Sequence, residues 1–335
     1  MTLNYRVQPP AEADAGTTAL VDADSGEFSL ADAVETREVI VADLLHGQRI
    51  DKAVVTMAPE FSRSHLQGLI ENGHVRVEGR QVTTSSRKVS AGQRLVVELI
   101  PTAESLAFRP EAMTLHAVFE DEHLMVLNKP AGLVVHPAAG HWSGTLLNGL
   151  LAHHAGAAAL PRAGIVHRLD KNTSGLMVVG KTLVAVTALV RAIAVRTVHR
   201  QYLAVAHGSL VPRHVQIDAP VGRDPQSRVR MAVVSSGKPA RTDVDVVARN
   251  AEFSAVRCTL HTGRTHQIRV HLASRGHPLV GDLVYGGRAV LGMQRQALHA
   301  TRLAFTHPCT QAALSFELEP PADFAAAWQS VTTSG

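Results

Sequence analysis

The sequence has few of the features that mark disulfide scaffolds, metal knuckles or membrane spans. Its 335 residues include two cysteines, Cys258 and Cys309, which are too few for a disulfide framework and do not form a Cys-x-x-Cys pair. No uninterrupted apolar run is long enough to cross a bilayer, and the N-terminus lacks the basic-then-apolar pattern of a signal peptide. We therefore predict a cytoplasmic protein without a membrane partner.

Acidic residues are scarce over most of the chain because they are concentrated near the N-terminus. Residues 1–45 hold nine Asp and Glu against Arg6 and Arg37. Residues 46–335 hold 31 of the chain's 33 Lys and Arg and 20 of its 29 Asp and Glu. That part therefore has a net charge of about +11. A basic body of this kind suits a polyanionic partner such as nucleic acid. A solvated basic surface has the same composition, so charge alone does not decide between the two.

The pattern of residue types divides the chain into four regions. Residues 1–34 mix small, polar and acidic residues with little periodicity, which predicts a disordered acidic tail. We expect a small α+β unit over residues 35–99, a linker over residues 100–113 and a larger domain over residues 114–328. Because short strands alternate with few helices in the larger domain, without regular β–α alternation, we expect an α+β fold with a mixed, mostly antiparallel sheet.

In the small unit, "SRSHLQGLIENGHVRVEGRQV" predicts a short helix followed by a hairpin. Ser62 is a suitable N-cap, Gly73 stands where a left-handed residue ends a helix, and Glu78-Gly79 suits a hairpin turn. This order resembles the S4 RNA-binding domain, in which the second helix and the following loop present cations to RNA. The cations and polar residues that the resemblance assigns to RNA contact are Arg63, His65 and Arg76.

The stretch "GIVHRLDKNTSG" contains a carboxylate, Asp170, between Arg168 and Lys171, directly after an apolar segment. Taken alone, such an aspartate is most simply a turn residue. A second charged residue, Arg269, lies in "IRVHL", which has the appearance of a buried strand. A buried cation needs an anionic partner, and Asp170 is the obvious candidate.

Six segments of distinctive sequence follow one another along the chain: "NKPAGLVVHPAAGHWSGTLLNGL", "HRLDKNTSGLMVVGKT", "HRQYLAVAHG", "GRTHQIRVHL", "HPLVGDLVYG" and "RQALHA". With the S4-like unit before them, they make residues 46–325 resemble the RluA/RluD-type family of pseudouridine synthases. The resemblance implies a pseudouridine synthase fold that converts uridine in RNA to its C-glycoside isomer. It favours 23S rRNA of the large ribosomal subunit as the substrate, and it implies no cofactor. We also expect a monomer.

The resemblance also implies roles for individual residues. Asp170 is the essential carboxylate, which either adds to the sugar or removes a C2′ proton, and Arg269 is the ion-pair partner that keeps it ionised. Tyr202, one of three tyrosines, stacks on the uracil and helps to remove the C5 proton. The further residues assigned to RNA contact are Arg168, Lys171 and Arg264.

Four alternatives are weighed against this interpretation. His261, His266 and His271 recur at five-residue spacing without a compact ligand cluster, so no metal site is predicted. A glycoside hydrolase would need a second carboxylate, for which Asp282 is the candidate. The remaining alternatives are the same chemistry on tRNA or another rRNA site, and a non-catalytic RNA-binding factor in ribosome assembly.

Overall fold

The computed structural model describes residues 2–7, 35–99, 107–138, 141–227 and 230–333. These residues form two compact units: residues 35–99 form one, and residues 2–7 join residues 108–333 in the other. In the parts of the chain that the structure describes, no helix has both the length and the apolar composition needed to cross a membrane.

The first element is strand β1 (Thr2–Val7), which pairs in parallel with a strand near the C-terminus, Ala313–Leu318. The disordered tail predicted for residues 1–34 is therefore wrong for residues 2–7, and residues 8–34 lie outside the described residues. A period-2 alternation of apolar and polar residues is present in "TLNYRV". This alternation is a weak signal, because the segment is short and its partner strand lies at the opposite end of the sequence.

The small unit consists of two helices and a four-stranded antiparallel sheet. The elements are β2 (Glu35–Ile40), α1 (Ile50–Met57), α2 (Arg63–Glu71), β3 (Val75–Val77), β4 (Arg80–Val82) and β5 (Arg94–Leu99). The strands of the sheet lie in the order β2-β5-β3-β4. Ser62 Oγ accepts a hydrogen bond from the amide of His65, and Gly73 has a φ of +81°. Both predicted ends of α2 are therefore confirmed, and a shared apolar core joins both helices to the sheet.

The larger unit is built on a ten-stranded sheet that includes β1. Its other strands are β6 (Ala117–Glu120), β7 (Leu124–Lys129), β8 (Ser174–Gly180), β9 (His199–His207), β10 (His214–Asp218), β13 (Arg241–Arg249), β14 (Phe253–Leu260), β15 (Leu298–Thr306) and β16 (Ala313–Leu318). Two further strands, β11 (Val221–Arg223) and β12 (Met231–Val233), form a separate hairpin. The helices are α3 (Leu146–His153), α4 (Leu183–Ala194), α5 (Gln267–Ser274) and α6 (Ala322–Thr332).

The sheet runs in the order β10-β13-β14-β9-β15-β8-β7-β6, and β16 pairs with both β15 and β1. Among the described strands, β8 pairs with β15 in parallel and β1 with β16 in parallel, and the other pairs are antiparallel. The predicted α+β class with a mixed, mostly antiparallel sheet is confirmed.

Strand β8 is buried on both faces, and its alternate residues enter two different apolar clusters. Met177 and Val179 pack in the cluster that contains α3 residues, whereas Leu176 and Val178 pack in the cluster that contains α4 residues. A strand covered on both faces is a continuous apolar run in sequence, as "LMVV" is. The segment that enters this strand is consequently anchored to the centre of the unit.

The boundaries of the larger unit differ from those expected at both ends. Residues 100–106 of the predicted linker lie outside the described residues, but Arg109 and Glu111 are bound to the start of α3. The Asn148 side-chain amide donates to the Arg109 carbonyl at 2.8 Å, and the amide of Gly144 donates to Glu111 at 2.7 Å. At the other end, α6 continues to Thr332.

Candidate active site

Asp170 lies in a turn directly before β8. The amide of Thr173 donates to the Asp170 carbonyl at 3.0 Å and closes a four-residue turn. Gly175, two residues further on, has a φ of +114°, and a Cβ at that position would lie 2.3 Å from the Ala300 carbonyl oxygen. Because only glycine allows the two backbones to approach so closely, Gly175 fixes the turn against β15.

The carbonyl groups inside this turn are also fixed. Lys171 O accepts hydrogen bonds from Gly132 N and Lys129 Nζ, both at 2.9 Å. Asn172 O accepts from Arg295 Nη1 at 3.0 Å. The carboxylate of Asp170 therefore projects from a backbone whose position is set before any ligand binds.

Lys129 has no exposed surface at the end of β7. Its Nζ also donates to Pro130 O at 2.8 Å and to Leu133 O at 2.9 Å, so three carbonyls match the three N–H groups of an ammonium. Burial lowers the pKa of Lys129 to about 7. Lys129 is not among the residues predicted from the sequence, where its signal is a lysine at the end of the apolar run "LMVLNK".

The structure brings Asp170 and Arg269 together, as the sequence predicts. Arg269 Nη1 donates to Asp170 Oδ2 at 3.0 Å, and the same guanidinium donates from Nε and Nη2 to both oxygens of Asp282, at 2.7 and 2.9 Å. The Asp170 side chain keeps 15% of its surface exposed, against 1% for Asp282. Burial opposes the charge of Arg269, but the hydrogen bonds to Asp282 and the charge of Asp170 raise its pKa.

The predicted strand at "IRVHL" is wrong, because Gln267–Ser274 is helix α5. The helix begins after His266, whose φ of 58° and ψ of 20° are left-handed. Residues 267–272 are all buried, so the helix has no polar face to give a helical period. Polar and apolar residues alternate in "QIRVHL", which is the pattern of a strand, so the sequence predicts the wrong element.

Two residues that were not predicted complete the surroundings of Arg269. Its Cζ lies 4.9 Å from the centroid of the Tyr285 ring. The Tyr285 hydroxyl accepts a hydrogen bond from the Met231 amide at 2.9 Å and lies 2.8 Å from His266 Nδ1. We assign the hydroxyl as the donor and Nδ1 as the acceptor of this second hydrogen bond. That leaves the hydrogen of His266 on Nε2, which is 3.9 Å from Asp170 Oδ1. Burial lowers the pKa of His266, so the imidazole is neutral beside the carboxylate.

Asp170, Arg269 and Tyr202 line one cavity of about 650 Å³ in the larger unit. Tyr202 is buried on β9, and burial raises the pKa of its phenol. The phenol therefore stays protonated, which favours the stacking role over proton removal. The cavity is also rich in cations, which suits a polyanionic ligand. Its arginines besides Arg269 are Arg162, Arg168, Arg196, Arg200 and Arg264.

The other residues predicted to contact RNA in this unit take different positions. Arg168 is exposed at the cavity. Arg264 is partly buried there, and its Nε donates to Pro239 O at 3.1 Å. Lys171 is exposed, and its backbone carbonyl belongs to the turn described above.

The small unit carries Arg63 and His65 on α2 and Arg76 on β3. Arg63 Nη2 lies 3.4 Å from a carboxylate oxygen of Asp51, and Arg76 Nη1 lies 2.7 Å from one of Glu98. The charge of Arg76 is thus partly neutralised within the protein. Among the described residues of this unit, four exposed cations have no ion pair: Lys52, Arg80, Arg87 and Lys88.

The regularly spaced histidines have separate partners. His261 Nε2 lies 2.6 Å from Asp243 Oδ2, His266 contacts Tyr285, and His271 contacts Thr242 Oγ1 at 2.9 Å. Within the described ranges, no group of three or more His, Cys, Asp or Glu side chains is arranged to hold a metal ion.

The sequence profile of the S4 domain matches residues 48–95, and that of the RNA pseudouridylate synthase family matches residues 123–274. Ribosomal large subunit pseudouridine synthase D of Neisseria meningitidis serogroup B is 49% identical over 313 residues, which cover 90% of this chain and 83% of that protein. The protein of the same name from Nitrosomonas europaea is 48% identical over 304 residues, 88% of each chain. The solved structure of human RNA pseudouridylate synthase domain containing 1 matches with a TM-score of 0.51 and 29% identity, over 64% of this chain and 88% of that one. This chain therefore belongs to the RNA pseudouridylate synthase family.

Proposed function

We propose that this protein isomerises uridine to pseudouridine in 23S rRNA of the large ribosomal subunit, with Asp170 as the essential carboxylate. The observation that carries the proposal is the Asp170–Arg269 pair at 3.0 Å, set in a cavity that Tyr202 also lines. The names of the two bacterial relatives support large-subunit rRNA as the substrate. The proposal includes a monomeric enzyme that acts in the cytoplasm on rRNA or on a pre-ribosomal particle.

In the reaction, the N1–C1′ bond breaks, the uracil turns within the site, and C5 bonds to C1′. Arg269 holds Asp170 Oδ2, which leaves Oδ1 to face the ribose. Both proposed routes, addition to the sugar and removal of the C2′ proton, need an ionised carboxylate at this point. The Arg269 guanidinium is placed to hold the carboxylate there, since its Nη1 donates to Oδ2.

The arrangement argues against a glycoside hydrolase. Such an enzyme uses two carboxylates that both reach the bond being cleaved. Asp282, the candidate for the second, is buried, and both of its oxygens accept hydrogen bonds from Arg269. Asp282 therefore supports Arg269 and does not face the cavity as a second reacting group.

The base must leave its stack to enter the cavity, which costs a few kcal/mol. Stacking on the Tyr202 ring would return roughly 1–3 kcal/mol. Three exposed arginines at the cavity, Arg162, Arg168 and Arg196, are placed to hold the neighbouring phosphates. The S4 unit adds a second basic surface for the same RNA.

Tritium release tests the proposal, because pseudouridine formation replaces the hydrogen on uracil C5. The wild type, Asp170→Asn and the control Asp245→Asn would be incubated with 23S rRNA that carries uridine tritiated at C5, without added metal or cofactor. Asp245 is exposed and paired with His214, away from the cavity residues. We expect release by the wild type and by Asp245→Asn, and none by Asp170→Asn.

Each other outcome has a defined meaning. Release by Asp170→Asn at the wild-type rate would contradict the role of Asp170. Release from tRNA and not from 23S rRNA would retain the chemistry and change the substrate. Tight binding of both RNAs without release from either would favour a non-catalytic RNA-binding factor.

A further inference from the structure

Two side chains that line the cavity of Asp170 have a buried nitrogen atom without a hydrogen-bond partner among the described residues. These atoms are Arg200 Nε and His167 Nδ1. Buried donors are almost always paired in folded proteins, and an unpaired one costs about 1–3 kcal/mol. Two such donors at one cavity indicate a ligand that brings acceptors.

Arg200 is the more unusual of the two. The residue is 5% exposed on β9, and in the part of the chain that the structure describes no ion pair or side-chain hydrogen bond involves its guanidinium. Gly263 makes room for it, since a Cβ there would lie 2.8 Å from Arg200 Nη1. A buried guanidinium without a counter-charge is unfavourable in the free protein and becomes favourable when an electronegative group binds to it.

His167 offers a second donor, which is neutral. Its Nε2 accepts from the Val178 amide at 3.1 Å, so its hydrogen is on Nδ1. Burial and the nearby charge of Arg200 lower the pKa of His167 to about 3, so the imidazole stays uncharged. The ligand is therefore expected to present acceptor oxygens to one cation and one neutral donor.

The position of Arg200 favours the base of the target nucleotide over its phosphates. Arg200 and Tyr202 are two residues apart on β9 and so share a face of the sheet, and Tyr202 is the aromatic ring on which the base would stack. Phosphates have candidate partners in Arg162, Arg168 and Arg196, which are exposed at the same cavity. Uracil carries two carbonyl oxygens, which are acceptors.

We propose that Arg200, with His167, binds the carbonyl oxygens of the target uracil and stabilises the negative charge of the base during cleavage. The inference rests on the proposed function. When the N1–C1′ bond breaks, its electron pair stays on the base, which becomes an anion delocalised over N1 and the carbonyls. C1′ is stabilised either by a bond to Asp170 or by loss of the C2′ proton. Bonding of C5 to C1′ then uses an electron pair of the base and either displaces Asp170 from C1′ or is accompanied by return of the proton to C2′. The C5 proton then leaves, and N1 is protonated.

The test compares Arg200→Met, Arg200→Lys and the wild type in single-turnover tritium release from C5-labelled 23S rRNA at saturating enzyme. Removal of one donor that faces developing charge lowers a rate by about 10²–10³-fold, and we expect this for Arg200→Met, with partial recovery in Arg200→Lys. RNA affinity and its salt dependence should stay at the wild-type level. The melting temperature of Arg200→Met should rise by about 2–4 °C, because the variant removes an unpaired buried charge.

Arg196→Met serves as the matched control, since Arg196 is an exposed cation at the same cavity. It should weaken RNA binding and reduce the salt slope by about 0.7. If Arg200→Met also weakened RNA binding and reduced the salt slope, with an unchanged rate at saturation, Arg200 would be a phosphate-binding residue and the inference would be overturned. Loss of rate together with a lower melting temperature, or failure of Arg200→Met to fold, would make Arg200 a structural residue and also overturn it. Absence of release by the wild type would instead remove the proposed function.

Discussion

Asp170 and Arg269 lie 99 residues apart in the chain, and Arg269 Nη1 donates to Asp170 Oδ2 at 3.0 Å. The same guanidinium donates twice to Asp282, whose side chain is 1% exposed. One cation is thus shared between a buried carboxylate and a carboxylate that faces the cavity. Because Nε and Nη2 are taken by Asp282, the direction of Nη1 toward Asp170 is fixed by a residue that does not face the cavity.

Replacement of Asp282 by Asn should therefore impair both stability and turnover. Arg269 would keep Asp170 as its only carboxylate partner and lose the bidentate contact that orients it. Breaking a buried ion pair from one side typically costs 3–5 kcal/mol, and we expect about 3 kcal/mol here because Asp170 still balances part of the charge. Urea unfolding would measure the loss of stability, and single-turnover tritium release would measure the loss of rate.

Asp245→Asn is the control for Asp282→Asn, because Asp245 is an exposed carboxylate whose partner, His214, is also exposed. Its free energy of unfolding should stay within about 0.5 kcal/mol of the wild type. A variant at Asp282 with wild-type stability and rate would show that Arg269 does not need the second carboxylate.

Stability should decrease as the pH falls below 6.5, and His299 should cause part of that decrease. His299 is fully buried, with Nδ1 3.0 Å from Ser174 Oγ and Nε2 3.3 Å from Leu318 O. Burial lowers its pKa to about 4, whereas the imidazole in the unfolded chain keeps its ordinary pKa of 6.5. Between these values the unfolded chain binds a proton that the folded protein does not, so its stabilising contribution is complete above pH 6.5 and is lost as the pH falls.

By pH 5 this one histidine should account for about 2 kcal/mol of lost stability. The measurement is urea unfolding of the wild type and His299→Gln at pH 7 and pH 5. The difference in the free energy of unfolding between pH 7 and pH 5 should be about 2 kcal/mol smaller in the variant than in the wild type. An equal difference in both proteins would assign the acid sensitivity to other groups, such as His136, whose pKa burial lowers to about 4, and His167.

The sequence was sufficient to predict helix ends and the grouping of site residues where a local pattern or a family resemblance specified those residues. The ends of α2 followed from Ser62 and Gly73, which are short-range signals. The grouping of Asp170, Tyr202 and Arg269 followed from the order of the family's segments, and the structure places all three at one cavity. Their chemical roles stay predictions until activity is measured.

The structural features that the sequence did not predict depend on contacts between distant parts of the chain. The sequence predicts a strand where Arg269 lies in a helix, because polar and apolar residues alternate over the first six residues of that helix, which are all buried. The orphan nitrogen of Arg200 has no sequence signature, since it is defined by which side chains do not reach it. The position of Lys129 at the end of an apolar run is visible in the sequence, but its hydrogen bonds are not, because its three carbonyl partners come from two separate loops.

The small unit should contribute to RNA affinity through exposed cations that have no internal partner. Arg80 and Arg87 are exposed and, within residues 35–99, have no ion pair, whereas Arg94 is paired with Glu38 at 2.6 Å. Each neutralised phosphate on a single strand contributes about −0.7 to the slope of log affinity against log salt, and each on a duplex about −0.9. The double variant Arg80→Gln/Arg87→Gln should therefore reduce the magnitude of that slope by about 1.4–1.8.

Arg94→Gln is the matched control in the same unit, since it removes an arginine whose charge Glu38 already balances. Its slope should stay close to that of the wild type in a salt titration of 23S rRNA binding. If Arg94→Gln and the double variant lowered the slope equally, the effect would follow from net charge and not from individual phosphate contacts. If neither changed it, the cations of this unit would not bind the RNA, and the basic cavity of the larger unit would have to supply the affinity alone.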